Sequence, residues 1–317
     1  MDLDFSPKPD LPVIVIGAAG VDIVGLVRGE LQSGTSSPAT IRTSFGGVAR
    51  NVAENLARLG QPVNLISVVG EDKYGDSLLE NARAAGVNVE AVLRSPDYPT
   101  GAYIAVANSE GEMLYGLDDM RAIAALTPEA IRAVEGMFDQ AALVFVDANL
   151  PKDTLRRVMA IARRKRLPVC ADPASQALAD KLRQYLPRLR MIVPNGREAE
   201  ILCDRRINPT SRRDALAAAK CLVAQGVEIA IIGLAAFGVC YATSQTSGHV
   251  PALRTAIQDP TGAGDALTAT VLFGLLNDIP IDDAVRLGVT AASLTLRHRG
   301  SVLPDLSLEK LYDQLVI

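Results

Sequence analysis

Short runs of β-branched and aliphatic residues recur along the chain at 12–16, 63–69, 142–146, 169–171, 191–193 and 228–232, with helical patterns between them. Most of these runs are apolar throughout rather than alternately, as strands buried on both faces must be. Their alternation with helices predicts an α/β fold with a mainly parallel sheet flanked by helices on both faces. Between residues 46 and 60, Val48, Val52, Leu56 and Leu59 share one stripe, while Asn51, Asn55 and Arg58 share another, and Gly60 closes the pattern. That segment reads as an amphipathic helix presenting Asn51 from its first turn. Two stretches break the rhythm, 21–45 and 101–116. The second predicts a hairpin around Asn108-Ser109-Glu110-Gly111. Without a clear helix partner, the two stretches are expected to pair as a small accessory sheet standing off the core.

Composition narrows the class. A chain of 317 residues, 49% hydrophobic, can bury the core of one large domain spanning residues 1–317. No long linker, low-complexity tract or internal repeat divides it. With Lys+Arg 32 against Asp+Glu 36, and no basic run interleaved with aromatics, a nucleic-acid polymer is not the expected partner. Arg163-Arg164-Lys165-Arg166 ends a helical pattern, where positive charge complements the helix dipole. Cys170, Cys203, Cys221 and Cys240 are scattered and far from His249 and His298, which leaves no zinc spacing. Cys170 and Cys240 sit in apolar runs and read as buried thiols of a reducing cytoplasm. Met1 to Phe5 is acidic, without the basic and apolar regions of a signal peptide, and no apolar stretch reaches the ~20 residues of a membrane span. A cytoplasmic protein is expected.

Chemistry concentrates near the C-terminus, in Asp259-Pro260-Thr261-Gly262-Ala263-Gly264-Asp265, which opens an apolar helix. Gly262, Ala263 and Gly264 have little side-chain bulk, so their N–H groups can converge at the positive end of the helix and hold an anion. Asp265 is placed to take a proton from an attacking hydroxyl. The alternative is a glycine-rich cap whose aspartate only answers the dipole. Asp22 follows the first apolar run, and ligands of open α/β sheets lie beyond strand carboxyl ends. Asn195 and Glu198, three residues apart after another run, suit either a magnesium-bound water or a reciprocal helix cap.

Three of these segments also resemble, in order and spacing, the signatures of the ribokinase-like (phosphofructokinase-B type) sugar and nucleoside kinases. They are Gly46-Gly47-Val48-Ala49-Arg50-Asn51, Asn195-Gly196-Arg197-Glu198 and Gly262-Ala263-Gly264-Asp265. The resemblance implies a ribokinase-like fold whose accessory sheet, inserted from about 21–45 and 101–118, is a lid over the sugar. It implies sugar binding by Asp22, Gly46, Gly47 and Asn51, with Asp265 as base and Gly262 to Gly264 as anion hole. ATP with magnesium is the implied donor, Asn195 lying near it and Glu198 reaching the metal through water. Asp259 and Thr261 match a potassium site, with a plain turn ahead of Pro260 as the alternative. The nucleotide loop departs from the pattern: Gly233-Leu234-Ala235-Ala236-Phe237-Gly238 lacks the usual hydroxyl and has Ala235 for a glycine. Gly20 likewise stands where many members have asparagine.

Within the family the chain is most similar to the pseudouridine-kinase branch. The similarity is carried by Gly111-Glu112-Met113-Leu114, Asp118-Asp119-Met120, Asp147-Ala148-Asn149-Leu150, Asp172-Pro173-Ala174-Ser175 and Pro194 to Glu200. Asp119 and Asn149 are then expected to face a nucleoside, unless Asp118 and Asp119 form an exposed turn. The expected reaction is ATP-dependent phosphorylation of the pseudouridine 5′-hydroxyl. Another nucleoside, ribose or fructose is the alternative acceptor, and a weakly catalytic metabolite-binding relative is a third reading. Edge pairing of lids implies a homodimer. Gly17-Ala18-Ala19-Gly20 lacks the triple-glycine spacing of a dinucleotide fold.

Overall fold

Strand β1 (Val13–Ile16) shows why the apolar runs are continuous. Val13 and Val15 enter one core cluster while Ile14 and Ile16 enter another on the opposite face of the sheet, and all four are wholly buried. The computed structural model describes residues 8–108, 110, 113–208 and 210–315. In chain order the other strands are β2 (Gly20–Val27), β3 (Ala39–Gly46), β4 (Val63–Ile66), β5 (Val68–Gly70), β6 (Leu93–Ser95), β7 (Gly101–Ala107) and β8 (Met113–Asp119). They continue as β9 (Leu143–Asp147), β10 (Val169–Asp172), β11 (Met191–Ile192), β12 (Ile229–Gly233), β13 (Val239–Ala242) and β14 (Ser247–Val250).

The large sheet has the order β14-β13-β12-β11-β10-β9-β1-β4. It is parallel from β12 to β4, with β13 and β14 added antiparallel at one edge. The helices are α1 (Val48–Arg58), α2 (Lys73–Ala84), α3 (Pro128–Ala133), α4 (Lys152–Lys165), α5 (Gly196–Cys203), α6 (Arg212–Ala224), α7 (Ala263–Leu276), α8 (Ile281–Leu296) and α9 (Leu308–Gln314). Helices α1, α2, α7 and α8 fill one face, and α4, α5 and α6 fill the other. Cys170 and Cys240 are buried free thiols in this core. Among the described residues no helix is long and apolar enough to cross a membrane.

One expectation changes. The run 63–69 is two strands, because buried Ser67 leaves the ladder and donates its hydroxyl to Gly17 O at 2.6 Å. Strand β5 then pairs with β6 in a separate two-stranded sheet. The polar side of α1 is covered by another helix. Asn51, Glu54 and Asn55 are buried, since α7 packs along that side.

The accessory stretches form a four-stranded sheet of order β3-β2-β7-β8, in which β2 and β7 are parallel and the outer pairs antiparallel. Ser109 and Gly111, at the tip of the expected hairpin, lie outside the described residues, as do Met1 to Phe5. Strand β3 runs into α1 through Gly46 and Gly47, so the small sheet is anchored directly at the carboxyl end of β1.

Candidate active site

Helix α7 begins at Gly262, whose φ of 74° lies in the left-handed region. A Cβ there would lie 1.8 Å from Ser301 O, so the position requires glycine twice over. Gly264 has no such packing demand: it is exposed, and a Cβ on it would meet nothing within 4 Å. No side chain caps the helix. Its first amides therefore face open space with the positive end of the dipole behind them, which is the physical make-up of an anion site.

Half-buried Asp265 stands in that first turn. The Asn51 amide donates to its Oδ2 at 2.6 Å, joining α1 to α7 across the carboxyl edge of the sheet. Burial pushes the Asp265 carboxyl up to about 7, the nearby Asp22 and Asp147 charges add to the rise, and the Asn51 bond and Arg50 charge oppose it. A carboxylate titrating there is poised to accept a proton near neutrality.

Asp147, at the end of β9, is wholly buried and was not singled out by the sequence reading. It accepts from the N–H groups of Ala18 at 2.8 Å, Asn149 at 2.9 Å and Ala49 at 3.2 Å. Asp172, its register partner on β10, is pushed well up by burial and then by the charges of Glu198 and Asp265. Asn149 thus sits in a turn folded onto Asp147. The available signal was one carboxylate at the end of successive apolar runs.

Asp22 lies near the start of β2, 6% exposed, and Gly46 must be glycine because a Cβ there would lie 2.2 Å from its Oδ1. Gly47, at φ 92°, lets the chain pass Ala18 O, which would be 2.6 Å from a Cβ. Burial raises Asp22 to about 6, against the lowering influence of Arg50, with Asp259 adding to the rise. The ladder aligns Ser44, Asp22, Tyr103 and Asp118 in one row across the small sheet. This face borders a cavity of about 570 Å³ that also involves Val24, Arg42, Ala105, Ile257 and Asp259. Asp119 falls in the neighbouring row with Val21 and Ala102, so it points to the other face. There it is exposed and paired with Arg121 at 2.6 Å, whose hydrogen bonds hold its carboxyl down at about 2. The structure therefore brings Asp118, and not Asp119, to the side of Asp22.

Asn195 and Glu198 form a complete capping box on α5. Asn195 Oδ1 accepts from Glu198 N at 3.1 Å, Glu198 Oε2 accepts from Asn195 N at 2.8 Å, and Glu198 Oε1 accepts from Asn195 Nδ2 at 2.7 Å. Burial raises the Glu198 carboxyl. Asn195 also bridges to Gly233, so the loop after β12 lies beside this cap. In that loop Ala235 has φ 49°, a left-handed conformation that costs an alanine about 1 kcal/mol. Gly238 has no alternative, a Cβ there lying 2.1 Å from Val250 O. The Asp259 carboxylate is engaged in a turn, accepting from Thr261 Oγ1 at 2.6 Å, Thr261 N at 3.0 Å and Gly300 N at 3.2 Å.

An uncapped helix N-terminus, a carboxyl that burial pushes up to about 7 and a cavity beneath a small sheet suit a phosphotransferase that acts on a sugar or nucleoside hydroxyl. The chain belongs to the pfkB family of carbohydrate kinases, whose profile matches residues 11–307. It is 34% identical to the pseudouridine kinase of Escherichia coli over 298 residues, covering 93% of this chain and 94% of that one. It is 29% identical to the guanosine-inosine kinase of Exiguobacterium acetylicum over 297 residues, covering 93% and 97%. The ribokinase of Arabidopsis thaliana, solved with ribose and ATP, superposes with a TM-score of 0.84 over 97% of this chain and 99% of that one, at 21% identity, and shares the fold.

The raised carboxyls carry a stability cost with a defined sign. Asp265 in the folded protein holds its proton up to about 7 against 3.8 unfolded, so its contribution is complete below about 4 and lost as pH rises through 7. Asp265→Asn is expected to be more stable than wild type at pH 8, and the difference should shrink towards pH 4. Denaturant unfolding at both pH values measures it.

Proposed function

We propose that this kinase transfers the γ-phosphoryl group of ATP to the 5′-hydroxyl of a nucleoside, pseudouridine being the favoured acceptor. The observation that carries the reading is Asp265 in the first turn of α7, held by the Asn51 amide at 2.6 Å beside a helix N-terminus that no side chain caps. Asp22 and the Asn51 amide take up sugar hydroxyls, which orients the 5′-hydroxyl towards Asp265. Asp265 accepts the hydroxyl proton as the oxygen attacks, and the amides of Ala263 and Gly264 receive the charge that builds on the transferred group. The cavity under the Asp22 face has room for more than a free pentose, and its size falls in the range of sites for larger ligands. Likeness to a pseudouridine kinase over nearly the whole chain supports the acceptor. The guanosine-inosine kinase keeps other nucleosides as the second reading.

Magnesium, bound to the donor phosphates, would offset their charge. Both Glu198 oxygens are already bonded to Asn195, so this residue suits a position one water removed from the metal rather than direct coordination. The outer face of the small sheet exposes Ile41, Ile104, Tyr115 and Leu117, a surface suited to pairing with a second copy of the chain in a homodimer.

Phosphorylation of pseudouridine, uridine, guanosine, ribose and fructose by ATP and magnesium tests the acceptor directly. Pseudouridine should give the highest kcat/KM, and Asp265→Asn should lower turnover on it by about 10²–10⁴-fold with little change in KM. Preference for a free sugar would overturn the nucleoside reading.

The donor loop gives a separate test. Gly233 has room for a side chain, a Cβ meeting only Asn195 Cα at 3.9 Å, and Ala235 is in a conformation glycine prefers. Gly233→Thr with Ala235→Gly should lower the KM for ATP, by up to about tenfold for one recovered hydrogen bond and relief of strain. Steady-state kinetics with ATP varied at saturating acceptor reads the effect, and kcat should change less.

A further inference from the structure

Arg50 is among the largest fully buried side chains of the protein, 2% exposed, and none of the roles above uses it. Burying a guanidinium is costly unless its donors are engaged, and here each of its three nitrogens has an acceptor. Nε donates to Gly46 O at 3.0 Å, Nη2 to Phe45 O and Ser301 Oγ at 2.9 Å each, Nη2 also to Asn51 Oδ1, and Nη1 to Glu54. The Ser301 hydroxyl lies 2.9 Å from the same Asn51 oxygen. The one proton of that hydroxyl also has Phe45 O within reach at 2.5 Å, so Arg50 Nη2 is the constant donor to Oδ1; it holds the Asn51 amide in one orientation, its Nδ2 towards Asp265. The chain of contacts therefore runs Glu54, Arg50, Asn51, Asp265, and it closes on Ser301, which faces the N-cap Gly262.

We propose that Arg50 is a positioning residue for phosphoryl transfer, locking the Asn51 amide so that the Asp265 carboxylate is presented to the acceptor hydroxyl in a single orientation. The proposal rests on the kinase reading above for its kinetic readout alone. Arg50 carries a positive charge among acids on several elements. Asp22 on β2, Asp147 on β9 and Asp172 on β10 surround Asp265 and disfavour its ionised form, and Arg50 on α1 is the cation that favours it. Glu54 shares its charge with Arg58, at 2.6 Å, as well as with Arg50. Replacing Arg50 by an apolar residue of similar length thus leaves Glu54 paired.

Arg50→Met removes both charge and fork, Arg50→Lys keeps the charge without the fork, and Ser301→Ala removes an acceptor that anchors Arg50 Nη2 beside Asn51 without changing charge. Asp265 is titrated in each full-length variant by ¹³C NMR of labelled aspartate carboxyls, its signal assigned by loss in Asp265→Asn, and kcat is measured with the acceptor the screen selects. In Arg50→Met the Asp265 midpoint should rise by about one unit, and kcat should fall about 10–100-fold with little change in acceptor KM. Arg50→Lys should restore the midpoint and leave kcat low. Should Arg50→Met fail to fold, Arg50→Lys and Ser301→Ala carry the test, both with a near-native midpoint and a reduced kcat. An unmoved midpoint with near-native kcat in Arg50→Met, full recovery of kcat in Arg50→Lys, or an unaltered kcat in Ser301→Ala would each overturn the proposal. The carboxyl titration needs no turnover, so a protein inactive on every acceptor would refute the kinase reading while the midpoints still judge the Arg50 contact chain.

Discussion

Carboxylates converge where the strands of the large sheet end, and the site depends on how their mutual repulsion is managed. Asp22, Asp147, Asp172 and Asp265 come from four different elements, and burial raises each of them. Backbone amides of Ala18, Ala49 and Asn149 hold Asp147, and the Asn51 amide holds Asp265. Arg50 is the buried cation that opposes the repulsion at both Asp22 and Asp265. Crowded acids destabilise the fold, and the same crowding produces a carboxylate basic enough to serve near pH 7.

Close approach is the second constraint, and glycine meets it at each junction. Gly46 yields space to the Asp22 carboxylate, Gly47 to Ala18 O, and Gly262 to Ser301 O. These three contacts draw the small sheet, the first strand end and the start of α7 together. Gly264 differs, since a Cβ there would meet nothing within 4 Å.

Much of this was legible from residue patterns because the strands are buried on both faces, so continuous apolar runs reported them without knowledge of their partners. Ser67 was misread as part of one strand because its reason to leave the ladder, a bond to Gly17 O, lies fifty residues away in the chain. Asp265 and its glycines were legible because the N-cap glycine and the carboxylate lie within one helix turn. Asp118 and Asp119 were not separable, since the face each occupies follows from the register of β7 and β8. Arg50 escaped notice because an arginine in an amphipathic helix ordinarily reads as exposed. Of the two readings offered for Asn195 and Glu198, the structure forms the reciprocal helix cap.

The central claim is that burial among acids turns Asp265 into the base of this kinase. The pH dependence of wild-type kcat/KM for the acceptor under saturating ATP and magnesium tests it most directly, because its acid limb reports ionisation of the enzyme form that meets the acceptor. The account predicts a limb governed by a single group near 7, absent from the residual rate of Asp265→Asn. A rate that stays flat down to pH 5, or a limb unchanged in that variant, would contradict it.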